Sequence, residues 1–186
     1  MSIYTRSGDA GTTRLGDGTL VGKASLRVRA YGAVDEATCS VGFARCAVTD
    51  ASLDEVLRFA QQRLLNCSSA LATPDVSAEA LVTQADVAAL ERAIDRIEGM
   101  VGGFRGFVLP SGCEAATRLH VARTVVRRAE RDAVALADEP GAVVDAVVLA
   151  FLNRLSDLLF AAARAQSVAS GEIEEPWDRH ATAPEG

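Results

Sequence analysis

From Ser25 onward the apolar residues fall at i, i+3, i+4 and i+7 through five successive stretches. That spacing puts them on one stripe of a helix with 3.6 residues per turn. No segment alternates apolar and polar residues between hairpin turns as a strand would. The periodicity therefore predicts a four- or five-helix bundle around one core.

The first stretch follows Ser25, which serves as N-cap, and carries Leu26, Ala30, Ala33, Val34, Ala37, Val41, Ala44 and Val48, a helix of roughly 22 residues. The second starts at a Ser52-to-Glu55 capping box and breaks at Thr73-Pro74. The third starts near Thr83 and Asp86 and stops at Gly99, Gly102 and Gly103, and an irregular stretch from Phe104 to Gly112 follows. The fourth covers about Glu114 to Ala137, and the fifth, from about Ala142 to Ser170, is apolar nearly all round, the pattern of a central helix. Three units result: an N-terminal loop over 1–24, a bundle over 25–170, and a flexible C-terminal tail over 171–186.

With 186 residues and 49% apolar composition, one domain can bury a sufficient core without covalent staples. Cys39, Cys46, Cys67 and Cys113 form no CxxC pair, and three of them sit in helical patterns; all are read as reduced packing residues. No apolar run approaches the roughly 20 residues of a membrane span, and the N-terminus lacks a secretory h-region. The expectation is a cytoplasmic protein without a membrane partner. A net charge of -6 excludes a general nucleic-acid binder, which carries a basic surplus.

The positive charge is unevenly spread. Of the 19 basic residues only Lys23 is lysine. Arg118, Arg123, Arg127, Arg128 and Arg131 crowd into one helix of an acidic protein, a self-repelling arrangement unless something anionic meets it. At 100° per residue His120, Arg123, Arg127, Glu130 and Arg131 share a strip roughly 100° wide beside the apolar stripe. Two readings stand: a solvated or subunit-facing salt-bridge strip, or guanidinium forks for a polyphosphate.

On the fifth helix Asn153, Asp157 and Arg164 recur on one line of an apolar surface. Asp157 either pairs with Arg154 or Arg164, or organises a ligand that Asn153 touches. Asp35 sits beside Val34 with no upstream arginine at intrahelical pairing distance, which favours a partner on another helix. In the N-terminal segment Gly8, Asp9, Gly11, Thr12 and Thr13 precede Lys23. Glycine N–H groups, hydroxyls and an ammonium suit phosphate, although no Walker A sequence is present, and a plain flexible terminus has the same composition.

Taken together, five stretches resemble the PduO-type ATP:cob(I)alamin adenosyltransferases, the human-type corrinoid adenosyltransferases. They are IYTRSGDAGTT from Ile3, AYGAVDE from Ala30, FVLPSG from Phe107, LHVARTVVRRAER from Leu119 and LNRLSD from Leu152, in the family's order. The fold class implied is all-α, a five-helix up-down bundle of the ferritin-like topology class with a glycine-rich N-terminal loop. The chain lacks the Glu-x-x-His pairs of a ferritin-like di-iron site.

The resemblance implies a homotrimer with active sites at subunit interfaces, where ATP, Mg2+ and a cobalamin substrate meet. Its ATP contacts carry over to Thr5, Arg6, Ser7, Gly8, Thr13, Arg14, Lys23, Arg127, Arg128, Glu130, Arg131 and Asn153. Arg6 and Ser7 stand where the family more usually has lysine and threonine. Asp35 and Arg123 match a pair that bridges subunits, and Phe107 matches an aromatic residue on the corrin side. Arg127, Arg131, Lys23, Asp35 and Arg123 are the residues on which catalysis is expected to depend. His120 and His180 are not expected to ligate cobalt, and the protein ligands of magnesium stay undefined. A reductase and a cobalamin-dependent mutase are the transient partners implied. The alternative from a different class is a non-catalytic ATP-sensing or adenosylcobalamin-delivery protein with the same bundle.

Overall fold

The computed structural model describes residues 4, 6, 8–74, 80–102 and 106–184. Five helices follow one another: α1 Leu26–Arg45, α2 Ala51–Ala72, α3 Gln84–Val101, α4 Glu114–Ala137 and α5 Ala146–Ala169. The stripes read from sequence are the buried faces. Ala30, Ala33, Val34, Ala37, Val41 and Ala44 of α1 and Ala115, Leu119, Ala122, Val126, Ala129 and Ala133 of α4 are all buried. Helix α4 packs between α1 and α5, α2 against α1, and α3 against α5. The small residues facing each other on α1 and α4 let the two backbones approach closely.

Helix α5 is the centre of this arrangement, and Phe151, Leu152, Leu155, Leu158 and Leu159 are fully buried. Truncating Phe151 to alanine would cost about 3–5 kcal/mol, since it leaves a cavity the surrounding helices cannot close. Although Asn153, Arg154, Asp157 and Arg164 break its apolar run, α5 as a whole is long and apolar enough by composition to cross a membrane. Most of its most apolar window is instead buried inside the bundle, which is how the core helix of a globular domain satisfies the same composition.

Capping sets the helix starts, twice where the sequence reading put them and twice not. Ser25 Oγ accepts from Val28 N–H at 3.4 Å, and Thr83 with Asp86 forms a reciprocal capping box. Helix α2 does not start from a Ser52–Glu55 box: Asp50 caps it, its carboxylate accepting from Ser52 and Leu53 N–H. Helix α5 starts at Ala146 rather than near Ala142, because Asp145 accepts from Val147 N–H at 2.9 Å. In both cases a nearby aspartate, two or three residues from the expected start, supplies the cap instead. Helix α3 runs through Gly99 to Val101 and is capped by Gly102, whose positive φ of 79° is a backbone conformation that glycine adopts without strain.

The N-terminal segment, read as a loop without strands, contains a short hairpin. Strands β1 Thr12–Arg14 and β2 Leu20–Gly22 pair antiparallel with Thr13 opposite Val21. Turn chemistry rather than burial orders it. The Asp17 carboxylate accepts from the Thr19 N–H and hydroxyl, Gly18 takes φ 86°, and of this hairpin only Leu15 between the strands is buried. Gly16 N–H donates to Ala72 C=O and ties the hairpin to the end of α2.

The cysteines also depart from the reading. Only Cys67 is buried, while Cys39 and Cys46 are exposed and Cys113 is half-buried at the start of α4. Packing therefore explains one thiol, and burial pushes its pKa up to about 12. Past Gly171 the chain turns back, and Val108 forms an antiparallel bridge with Pro176. The segment read as a flexible tail thus carries specific contacts up to Trp177.

Candidate functional site

The five arginines of α4 separate into two groups with different electrostatics. Arg118 is neutralised by Glu114 one turn earlier, and Arg128 turns to α1 and pairs with Glu36. Arg123, Arg127 and Arg131 stand in one row at one-turn spacing. Among the described residues none of the three enters an ion pair. Arg131 donates to the Arg127 carbonyl at 3.1 Å. The guanidinium of Arg123 is half-buried with its Nε unpartnered, and burial, then the charge of Arg127, pull its pKa below the usual arginine value. An unneutralised cationic row is costly unless an anion completes it.

This row borders two cavities. The first, about 340 Å³, is walled by Phe107, Val108, Pro110, His120, Arg123, Arg127, Ser156, Asp157 and Phe160. The second, about 320 Å³, is walled by Arg127, Glu130, Arg131, Val134, Ala135 and Asp138. One is lined by aromatic rings and a buried imidazole, the other by charge, and Arg127 belongs to both. Asn153 reaches from α5 to the second, its amide donating to Glu130 Oε1 at 2.9 Å. Two residues named separately from sequence are thereby brought into contact.

In the first cavity His120 is 5% exposed, with Nδ1 buried and unpartnered. Burial first, and Arg123 second, lower its pKa, while Glu174 acts in the opposite direction; the ring is neutral near pH 7. Asp157 pairs with Arg154 at 3.0 Å rather than with Arg164, and still lines the cavity. Phe107 is 74% exposed, at the cavity mouth. Phe160 and Ser156 were missed in the sequence, where they disappear into an apolar run. The signal was present, since Asn153, Asp157, Phe160 and Arg164 lie on one helical line.

The N-terminal candidates form their own group. A Cβ on Gly8 would meet Lys23 Nζ at 3.1 Å, so the missing side chain is what admits the ammonium, and Lys23 N–H donates to Gly11 C=O at 2.9 Å. Thr13 lies in β1, and Arg14 donates to Gly18 C=O across the hairpin. Arg6 adopts φ 61° and stacks over Tyr4 at 5.6 Å. Thr5 and Ser7 lie outside the described residues. Among the described residues no hydrogen bond or ion pair joins this loop to α4, and Asp35, exposed on α1, makes no ion pair with Arg123 within the chain.

A family model described as cobalamin adenosyltransferase matches residues 3–166. The corrinoid adenosyltransferase PduO of Salmonella typhimurium is 44% identical over 169 residues, 89% of this chain and 50% of that protein. The chain thus spans about half the length of the PduO relatives it matches. The corrinoid adenosyltransferase of Bacillus subtilis is 37% identical over 185 residues, covering 97% and 94% of the two chains. Among solved structures, a phenylalanine-to-alanine variant of a PduO-type ATP:corrinoid adenosyltransferase from Lactobacillus reuteri, complexed with cobalamin and ATP, superposes with TM-score 0.89 at 36% identity, over 95% of this chain and 99% of that one. An arginine-to-lysine variant from the same organism, complexed with ATP, gives TM-score 0.87 at 37% identity, over 95% and 100%.

Proposed function

Since the chain belongs to the cobalamin adenosyltransferase family, we propose that it transfers the 5′-deoxyadenosyl group of ATP to cob(I)alamin and releases tripolyphosphate. The observation that carries this reading is Arg127, the one wall shared by a ring-lined cavity and a charged one. A reaction that joins a flat, largely apolar macrocycle to a nucleotide needs those two environments side by side.

Reduced cobalt attacks the ribose 5′-carbon. A cobalt–carbon bond forms, the carbon–oxygen bond to the triphosphate breaks, and its electron pair leaves with tripolyphosphate. The protein supplies no nucleophile. Its residues align the reactants, exclude water, and receive the charge that develops on the leaving group through Lys23, Arg127 and Arg131. Phe107 and Phe160 offer the corrinoid an apolar wall. Neutral His120 adds no cationic charge to it.

Among the described residues no cluster of three or more acidic, histidine or cysteine side chains could cage a metal. Magnesium would then be carried by the nucleotide, keeping water and phosphate oxygens as its main ligands, and when bound would neutralise phosphate charge.

The working unit in this proposal is a homotrimer in the cytoplasm, with the Gly8–Lys23 loop of one subunit closing over the arginine row of its neighbour. Arg123 without an ion pair, and the lack of any hydrogen bond or ion pair between the loop and α4 among the described residues, support it. Asp35 of the neighbour is then the partner for Arg123, and a reductase and a cobalamin-dependent mutase dock transiently. The test is anaerobic incubation with reduced cobalamin and MgATP. Growth of the cobalt–carbon product spectrum with release of tripolyphosphate is expected. Tight binding of both compounds without product would replace this reading by adenosylcobalamin delivery or ATP sensing.

A further inference from the structure

We propose that Arg164 and Glu174 are positioning residues for the corrinoid half of the site: their ion pair holds residues 172–177 as a strap against the loop that carries Phe107, and so fixes where that ring stands. The inference rests on the function proposed above and names how one wall of that site is kept in place.

Arg164 is 7% exposed near the end of α5, and each of its three guanidinium nitrogens donates. Nε donates to Glu174 Oε1 at 2.5 Å, Nη2 to Oε2 at 3.0 Å, and Nη1 to the Gly102 carbonyl at 3.1 Å. One guanidinium thus grips the strap and the residue at which α3 ends and the Phe107 loop begins. Only a planar, multiply donating cation can hold both, and a bidentate charge-assisted pair is the stronger form of such a contact.

Beyond Glu174 the strap runs antiparallel to the loop. Leu109 N–H donates to Glu175 C=O at 2.8 Å, and Trp177 N–H donates to Phe107 C=O at 2.9 Å. Pro176 sits opposite Val108, a position where a residue without an N–H costs the ladder nothing. The Trp177 ring meets Phe107 edge-on, with centroids 6.2 Å apart at 85°, a favoured aromatic geometry. Both the carbonyl and the ring of this exposed phenylalanine therefore meet one strap residue. An ion pair that merely tidied a chain end would have no reason to bind Gly102 as well; this one brackets the loop from both sides.

Trp177 is the single tryptophan, so its emission reports on the strap independently of turnover. The experiment compares the full-length parent with Glu174→Gln, Arg164→Lys, Phe107→Ala and the Glu174→Gln/Phe107→Ala double variant. It reads Trp177 anisotropy and anaerobic kinetics with cobalamin and ATP varied separately. Expected are lower Trp177 anisotropy in the two strap variants, a loss of about fivefold or more in kcat/KM for cobalamin, and KM for ATP within about twofold of the parent. Adding Glu174→Gln to Phe107→Ala should cost nothing further, because the strap acts through that ring.

A loosened Trp177 with unchanged cobalamin kinetics overturns the inference, as do losses that multiply in the double variant. If burial makes Arg164→Lys fail to fold, Glu174→Gln and Trp177→Leu reach the same contact from its exposed side and decide the question by the same kinetics. A parent protein that forms no cobalt–carbon product removes the proposed function and this inference with it, whereas an active parent indifferent to Glu174 removes only the inference.

Discussion

The guanidinium of Arg123 lies 5.9 Å from the centre of the Phe160 ring while its Nε is buried without an acceptor. Ring and cation attract one another, but the donor has no acceptor among the described residues. Asp35 on a neighbouring subunit is the partner expected. A double-mutant cycle, Asp35→Asn with Arg123→Gln, read by activity and by native mass, should give a coupling of about 0.5–3 kcal/mol together with a weakened trimer. Strictly additive losses would show that the two do not meet.

Arg127 is expected to be the most sensitive single position, because it belongs to both cavities. If it stabilises the departing triphosphate more than bound ATP, Arg127→Ala lowers kcat on the order of 100-fold with a smaller change in KM for ATP. Arg127→Lys keeps the charge but loses the fork, and should fall between. A folded alanine variant within a few-fold of the parent would return the row to a structural role.

Nucleotide binding should protect the N-terminal loop. Arg14 is tied to Gly18 across the hairpin, yet Leu15 is the hairpin's one buried residue, so little core holds the segment down. Limited trypsin digestion near Arg6 and Arg14 is expected to slow when MgATP is added. Equal cleavage with and without it would exclude the loop as a nucleotide lid.

Acid should destabilise the protein through two groups, His120 starting below about 6.5 and Glu174 below about 4.5. Burial, then Arg123, hold the His120 imidazolium below its ordinary value of 6.5. A base depressed in the native state contributes stability that is intact above its unfolded pKa and lost as pH falls through the folded one. Glu174, depressed chiefly by its hydrogen bond from Arg164, gives a second loss below the ordinary 4.5 of a glutamate. Chemical denaturation at stepped pH should show the first loss vanish in His120→Gln and the second persist. Parallel pH profiles for the parent and His120→Gln would remove His120 as the source of the first.

Helix order and buried faces were legible because burial imposes a period on the sequence: every stripe residue named for α4 is in the core. The α2 start at Asp50 and the hairpin at Thr12–Gly22 were not, because each rests on one or two local hydrogen bonds that leave no period. At the site, the arginine cluster was visible as a charge anomaly, whereas its division into paired Arg118 and Arg128 and unpaired Arg123, Arg127 and Arg131 depends on which carboxylate each rotamer reaches. Phe160 stayed hidden for the opposite reason: an aromatic ring in an apolar helix looks the same whether it faces the core or a cavity.

Asn153 and Arg164 stand eleven residues apart on the same uninterrupted helix, a span of about 16 Å at 1.5 Å per residue. The former holds Glu130 at the charged cavity, and the latter holds the Phe107 loop through Glu174. Helix α5 is therefore a ruler: the spacing between these two anchor points is written into the pitch of a rod clamped by the core. Insertions in the surrounding loops leave that spacing alone, while a single residue inserted in α5 between these positions would swing one anchor about 100° around the axis relative to the other.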